Sequence, residues 1–266
     1  MRQNGPVRKV LIRIVLPLAG FLLVAAGIDF GFAIRAEIYL THSLRVANRL
    51  SFDPWVGILG FPFLTQSHSG HYRQVEIKAG AIDHPVLGRV SIESTLFDLH
   101  TDPPNWLIPP DAVVHAARAE SRMMLDSTHL GRYLGMTDLL VEAPLNDDMN
   151  DLTESGISDR HGLVFTGTPV KAGFTKQVSV AVDLSMPNAT TVVMTPTAIL
   201  TAPGTARQAV PADKQAAVLA AFRATVPGLR LPFGLEPITI GARGSDVIIE
   251  GITTGLTTPL SGFKQS

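Results

Sequence analysis

The chain has 266 residues, of which 45% are apolar and 17% charged, and it contains no cysteine. An apolar content this high supports a sizeable core, which excludes disorder, a collagen-like repeat and a disulfide-stapled scaffold. The 22 basic and 23 acidic residues give a formal charge of -1. Because no surplus of cations is left to neutralise phosphates, we expect no nucleic-acid partner.

The N-terminus consists of a basic flank followed by a long apolar segment. The segment runs from Ile14 to Ile34 and is interrupted by a single charge, Asp29. A helix needs about 20 apolar residues to cross the hydrocarbon core, so the segment is long enough for a membrane anchor if Asp29 lies near the outer interface. Small residues at positions 25–27 offer an alternative, cleavage as a secretory signal.

Both interpretations place the chain after Ile34 outside the cytoplasm, because a basic flank stays inside. We therefore divide the chain into a cytoplasmic stub with a transmembrane anchor or signal segment, residues 1–34, and an extracytoplasmic domain, residues 35–266. The favoured form is a single-pass membrane protein with its C-terminal domain on the outer, periplasmic side. Residues 1–35 hold five basic residues and one acidic, so the remainder has a formal charge of -5 and should meet lipid through apolar surface.

A helix is predicted from Ala33 to Ser51 and is ended by Pro54. Apolar residues recur in it at steps of three and four, which marks one buried face. Ile34 and Ile38 lie on the opposite, charged side. We therefore expect apolar surface on more than one flank, as in a helix that is wrapped by a sheet or faces lipid.

The rest of the chain is predicted mainly as strands, because apolar residues alternate with others at period two. The predicted strands span 56–60, 72–79, 86–99, 112–124, 139–143, 163–168, 177–186, 190–201, 238–242 and 247–252, and short helices span 126–134 and 213–225. No long linker divides them. The predicted fold is one α+β domain in which the long N-terminal helix packs against a strongly curved, mostly antiparallel sheet.

The sequence contains none of the common catalytic or cofactor motifs, so we expect neither an enzyme nor a cofactor. Metal sites are disfavoured as well. His68 and His71 have the spacing of a ligand pair but lack a third ligand nearby. The acidic cluster of Asp147, Asp148 and Asp151 lacks the spacing and glycine of a calcium loop and is interpreted as a solvated turn.

The connection Gly60–Gln66 is unusual, because two phenylalanines and a leucine surround a proline where connections are normally polar. Two interpretations are open. The segment is either a plug under the end of the sheet or an apolar lip for a lipid-like ligand. The sequence Leu-Pro-Phe-Gly-Leu at 231–235 repeats the pattern near the C-terminus.

The run from Gly60 to Gln66, followed by Gly70, Tyr72 and Val75, resembles the hallmark of the LmeA-like family of phospholipid-binding cell-envelope proteins, found chiefly in actinobacteria. The resemblance extends from about Asp29 to Leu256. It implies a fold akin to the tubular lipid-binding (TULIP or BPI-like) domains, with a long helix clasped by a curved sheet around an apolar cavity. It also implies binding of phospholipids such as phosphoinositides outside the cytoplasmic membrane, and a role in the maturation of mannosylated lipoglycans.

We therefore predict a membrane-tethered or secreted phospholipid-binding protein that holds acyl chains in an apolar cavity. The predicted lipid-binding residues are Leu40, Leu44, Phe61, Phe63, Leu64, Tyr72, Leu231 and Phe233. The predicted headgroup contacts are Thr65, Gln66, His71 and Arg73. The alternative is a structural or scaffolding envelope protein that docks a membrane glycosyltransferase through its apolar surface.

Overall fold

The computed structural model describes residues 5–104, 107–144, 156–201 and 209–264, with side chains from Arg13 onward. Its helices are α1 (Gly5–Ala47), α2 (Phe63–Ser69), α3 (Ser127–Leu134) and α4 (Gln215–Phe222). Its strands are β1 (Trp55–Leu59), β2 (His71–His84), β3 (Gly88–Thr101), β4 (Val113–Leu125), β5 (Leu140–Glu142), β6 (Leu163–Gly167), β7 (Val178–Asn188), β8 (Thr191–Leu200), β9 (Ala224–Val226), β10 (Thr239–Arg243) and β11 (Asp246–Pro259).

The strands form two open antiparallel sheets. The first has the order β1-β2-β3-β4-β11-β10 and the second the order β5-β6-β7-β8-β9. The predicted α+β class and the antiparallel pairing are confirmed, but the expectation of a single sheet is wrong. The chain leaves the first sheet after β4, builds the second sheet, and returns to pair β11 with β4. Strand alternation reports which face is buried, and it carries no information on such distant pairing.

The first sheet has one apolar face and one charged face. Val75 and Ile77 on β2 are buried, whereas Glu76 and Lys78, which alternate with them, lie on the opposite side. Farther along the charged face, Arg122 bonds Glu250 across β4 and β11, with 2.6 Å between Nε and Oε1. The buried side chains of α1 and of both sheets belong to one hydrophobic core.

A short segment joins the two sheets by pairing with β10. The backbone amide of Ser158 donates to the carbonyl of Ala242 at 2.9 Å, and the amide of Ala242 donates to the Ser158 hydroxyl at 3.0 Å. Gly241 permits this close approach, because a Cβ there would overlap the carbonyl oxygen of Ser158. The segment that leads into the second sheet is thus held close to β10, and at Gly241 the contact leaves no room for a side chain.

The helices differ from the predictions at their ends. α1 continues without a break through the apolar segment and ends at Ala47, before the predicted Ser51, because the Asn48 side chain donates to the carbonyl groups of Leu44 and Leu260 at 3.0 Å each. The helix expected over 213–225 covers only Gln215–Phe222, since the residues after it pair with β8 as β9. The helix over 126–134 is confirmed, with Asp126 as its N-cap.

The β2–β3 turn depends on a buried histidine. The Nδ1 of His84 accepts from the backbone amides of Val86 and Leu87, at 3.3 and 3.2 Å, and therefore carries no proton. Burial lowers the pKa of His84 below its ordinary value, and the backbone of Gly228 and Pro227 offsets this only in part.

We expect Gly241→Ala to lower the free energy of unfolding by about 2 kcal/mol, because the Ser158 backbone must shift away from β10. Gly80→Ala is the matched control: the nearest atom to its Cβ is the Ser91 hydroxyl at 3.8 Å. The control should change stability by less than about 0.5 kcal/mol. Chemical denaturation of the full chain in detergent micelles measures both, and equal midpoints would show that the junction tolerates a side chain.

We expect His84 to make the fold less stable as the pH falls below about 6.5, because the unfolded chain then binds a proton that the folded chain accepts only at lower pH. His84→Asn keeps an acceptor for the turn amides but does not titrate. The denaturation midpoint of His84→Asn should therefore fall less between about pH 7.5 and about pH 5.5 than that of the wild type. His68→Asn, on an exposed residue, should follow the wild type, and a parallel pH profile for all three proteins would refute this role.

Candidate functional site

The N-terminal part of α1 projects from the domain as a bare apolar helix. From Ile14 to Ile28 its side chains are exposed, apart from the half-buried Ala26. From Asp29 onward one face is packed, through residues at steps of three and four such as Ala36 and Leu40. Over the described residues, α1 is the one helix long and apolar enough to cross a membrane, a property that it shares with signal segments.

Asp29 joins α1 to α2 at the point where the packed face begins. Its side chain is only 5% exposed, and its two oxygens accept hydrogen bonds from the backbone amides of Phe63 and Leu64, both at 2.8 Å. The N-cap of α2 is Pro62, whose side chain makes no capping hydrogen bond. The carboxylate of α1 therefore caps α2 from outside, and it faces protein rather than lipid.

The C-terminal end of α2 is fixed as well. Gly70 adopts a left-handed conformation with φ 65°, and its carbonyl accepts from the amide of Thr101 at 2.9 Å. Inside α2, the Gln66 Oε1 accepts from the amide of Arg73 at 2.9 Å. The Gln66 Nε2 is buried next to Gly60 and has no hydrogen-bond acceptor among the described residues. Such an orphaned donor is uncommon in proteins.

Large apolar side chains surround this junction and remain exposed. We call Phe30, Ile34, Phe61 and Leu64 the apolar collar. Phe30 and Phe61 stack with their ring centroids 6.0 Å apart and are 59% and 53% exposed, and Leu64 is 40% exposed. Ile34 lies one turn after Phe30 on the same side of α1 and is also exposed. The collar continues the apolar surface of the bare helix onto the domain.

A row of histidines begins directly after α2. His71, His100 and His115 are register partners on β2, β3 and β4. The rings of His71 and His100 stack at 4.2 Å, and the His71 Nε2 lies 3.3 Å from a carboxylate oxygen of Asp98. His115 bonds the hydroxyl of Thr257 at 2.9 Å. The row places imidazole groups side by side near the ends of three neighbouring inner strands of the first sheet.

The structure divides the predicted lipid-binding residues into two groups. Six of them are buried in the core: Leu40, Leu44, Phe63, Tyr72, Leu231 and Phe233. Phe63 packs against Tyr72, with ring centroids 6.3 Å apart, and burial raises the pKa of Tyr72 to about 12. Phe61 and Leu64 are exposed instead. The Gly60–Gln66 segment therefore has both buried and exposed apolar side chains.

Two of the predicted headgroup residues lie in α2 and two lie at the start of β2. Thr65 and Arg73 are exposed, His71 is half-buried and Gln66 is buried. Phe30 was not predicted as a site residue, because it lies within the apolar segment, and the partners of His71 on neighbouring strands were not predicted either. The isolated charge at Asp29 was the available signal for the junction.

Two clefts formed by described residues lie away from these side chains. One cleft of about 640 Å³ is bounded by Ser158–Arg160, Met186 and 237–240, and another of about 250 Å³ by 50–53 and 79–82. Neither cleft is lined by the predicted lipid-binding residues. The described residues also contain no group of three or more histidine and acidic side chains placed to hold a metal ion. The acidic cluster at 147–151 lies outside the described residues.

The model of the family described as LmeA-like phospholipid-binding matches residues 27–252. No curated protein and no solved structure matches the chain significantly. Since the family match covers most of the chain, the chain belongs to this family. The match starts two residues before Asp29 and includes α2, the collar and the histidine row. The family is described by phospholipid binding rather than by a catalytic activity.

We expect Asp29→Ala to destabilise the junction by about 2–4 kcal/mol, because it leaves one buried and one partly buried amide group at the start of α2 without an acceptor. Asp29→Asn keeps one acceptor oxygen and should lose about half as much. Hydrogen exchange of the α2 amides in the full chain measures the effect locally. Asp53→Asn, which removes only an exposed ion pair with Arg45, is the control. Unchanged protection of Phe63 and Leu64 in Asp29→Ala would contradict the capping role.

Proposed function

We propose that this member of the LmeA-like phospholipid-binding family is a membrane-tethered phospholipid-binding protein of the bacterial cell envelope. In this proposal α1 crosses the cytoplasmic membrane, its basic N-terminus stays inside and the domain lies on the outer, periplasmic side. The bare apolar surface of α1 from Ile14 to Ile28 supports this arrangement. The observation that carries the proposal is the apolar collar, which extends the lipid-compatible surface from the helix to α2.

The collar supplies the proposed contact for acyl chains. Phe61 and Leu64 project outward, while Phe63 between them is buried and holds the segment on the core. An acyl chain laid on this surface gains about 25 cal/mol for each Å² of apolar area removed from water. Behind the collar, the buried Phe63 packs against the buried Tyr72, with ring centroids 6.3 Å apart. A fold akin to tubular lipid-binding domains would open between α1 and α2, along Phe63 and Tyr72, to accept a chain more deeply.

The headgroup is proposed to lie beside α2. The buried Nε2 of Gln66 lacks an acceptor among the described residues, and a phosphate or ester oxygen of a phospholipid would provide one. The exposed Thr65 and Arg73 and the half-buried His71 add donors around it. Because the domain is net acidic, a few placed donors rather than a basic field would select the headgroup.

The resemblance to the family suggests a more specific lipid and a more specific role, and we include both in the proposal. The bound lipids would be phosphoinositides, and lipid transfer or presentation would support maturation of lipomannan. A scaffold that docks an envelope glycosyltransferase is the second candidate. The exposed Ile38, one turn beyond the collar on α1, favours it, because this apolar side chain faces away from the domain.

We expect the double variant Phe61→Ser, Leu64→Ser to retain about tenfold less phospholipid than the wild type, because each substitution removes apolar contact area. The full chain is purified in detergent, washed and extracted for lipid mass spectrometry. Val170→Ser, at an exposed apolar residue in the short 3-10 helix between β6 and β7, is the matched control and should retain the wild-type amount. Gln66→Glu keeps the acceptor for Arg73 but removes the amide donor, so it should also retain less lipid.

Two results would overturn this proposal. The first is a wild-type chain that retains no more phospholipid than the double variant and takes up none from liposomes. The second is cross-linking in cells that traps one membrane protein in high yield on a chain free of phospholipid, which would favour the scaffold.

A further inference from the structure

The exposed apolar length of α1 is bounded by two arginines. Between Arg13 and Arg35 lie 21 residues, which span about 31 Å in a helix. This length matches a hydrocarbon core of about 30 Å. The bare part from Ile14 to Ile28 has only 15 residues, about 22 Å, and is too short by itself.

The additional length needed to span the hydrocarbon core lies in the part of α1 that packs against the domain. Asp29 is turned inward and bonded to the start of α2, so it presents no charge to the surroundings. The outward side chains of the next turns are apolar: Phe30, Phe32 and Ile34 are all exposed. The first exposed charge after Arg13 is therefore Arg35, whose long side chain is suited to the membrane surface.

We propose that the apolar collar lies within the outer leaflet of the membrane that α1 crosses. The inference rests on the proposed membrane tether. Membrane lipid is the proposed contact of the collar, because the collar surface continues the lipid-facing surface of α1. The stacked rings of Phe30 and Phe61 connect the two surfaces. The start of α2 then lies at the boundary between acyl chains and headgroups, where amphipathic helices bind.

This position gives the polar residues of α2 a role. Thr65 and His68 are exposed on the helix that carries Leu64, so they reach the headgroup level when Leu64 contacts acyl chains. A phospholipid of the same leaflet would approach Gln66 sideways, without leaving the membrane. The protein would thus take its lipid from the membrane that holds it.

The test measures depth with tryptophan fluorescence. The full chain is placed in liposomes of phosphatidylcholine and phosphatidylglycerol, in a background with Trp55→Phe and Trp106→Phe. Phe61→Trp and Leu64→Trp report on the collar, and Val170→Trp reports on an exposed site in the short 3-10 helix between β6 and β7. Phospholipids brominated near the headgroup end of the acyl chain should quench the two collar positions severalfold more than position 170.

Equal quenching at positions 61, 64 and 170 would overturn the inference. Two collar positions are used so that a folding defect in one variant, detected by circular dichroism, does not decide the result. Lipid retention in detergent is measured separately. Retention without collar quenching would leave the proposed function standing and refute the immersed collar, whereas quenching without retention would do the reverse.

Discussion

A buried carboxylate at the base of the long helix fixes the arrangement on which the rest depends. Asp29 makes two hydrogen bonds to the free amides of α2, and an anion at a helix N-terminus is further favoured by the helix dipole. Turning Asp29 inward also fixes the rotation of α1. Residues 33, 36 and 40 follow it toward the core, while Phe30, Ile34 and Ile38 point outward. The contact of Asp29 with α2 thereby determines which apolar side chains of α1 pack in the core and which remain exposed.

The segment after β1 repeats the same division on a smaller scale. Phe61 and Leu64 are exposed, whereas Phe63 and Gln66 are buried. The buried pair holds the segment, because Phe63 packs on Tyr72 and Gln66 accepts from the Arg73 amide. The exposed pair is thereby held in place against Phe30. A flexible loop with the same composition would lose more conformational entropy on binding a ligand than a segment that is already held in place.

Local patterns predicted local structure well. Period-two alternation located β2 and β7, and Asp126 with its hydroxyl neighbours indicated the start of α3. The exposed flank at Ile34 and Ile38 was also visible in the sequence. α2 was not, because its seven residues are too few for a periodic signal and its cap lies 34 residues earlier in the chain. The separate second sheet and the row of three histidines depend on strand pairing across long distances, which a single sequence does not encode locally.

The contacts of Asp29 lie after the candidate cleavage site, so they are present whether or not the N-terminal segment is removed. Small residues at 25–27 precede Asp29, and the family match itself begins at residue 27. Cleavage there would remove the bare helix but keep Asp29, α2 and the packed face of α1, so the domain would retain its fold. It would also expose Phe30, Phe61 and Leu64 to water without an adjoining membrane span. The proposed immersion of the apolar collar therefore favours a chain that keeps its helix, since lipid would then cover the collar continuously.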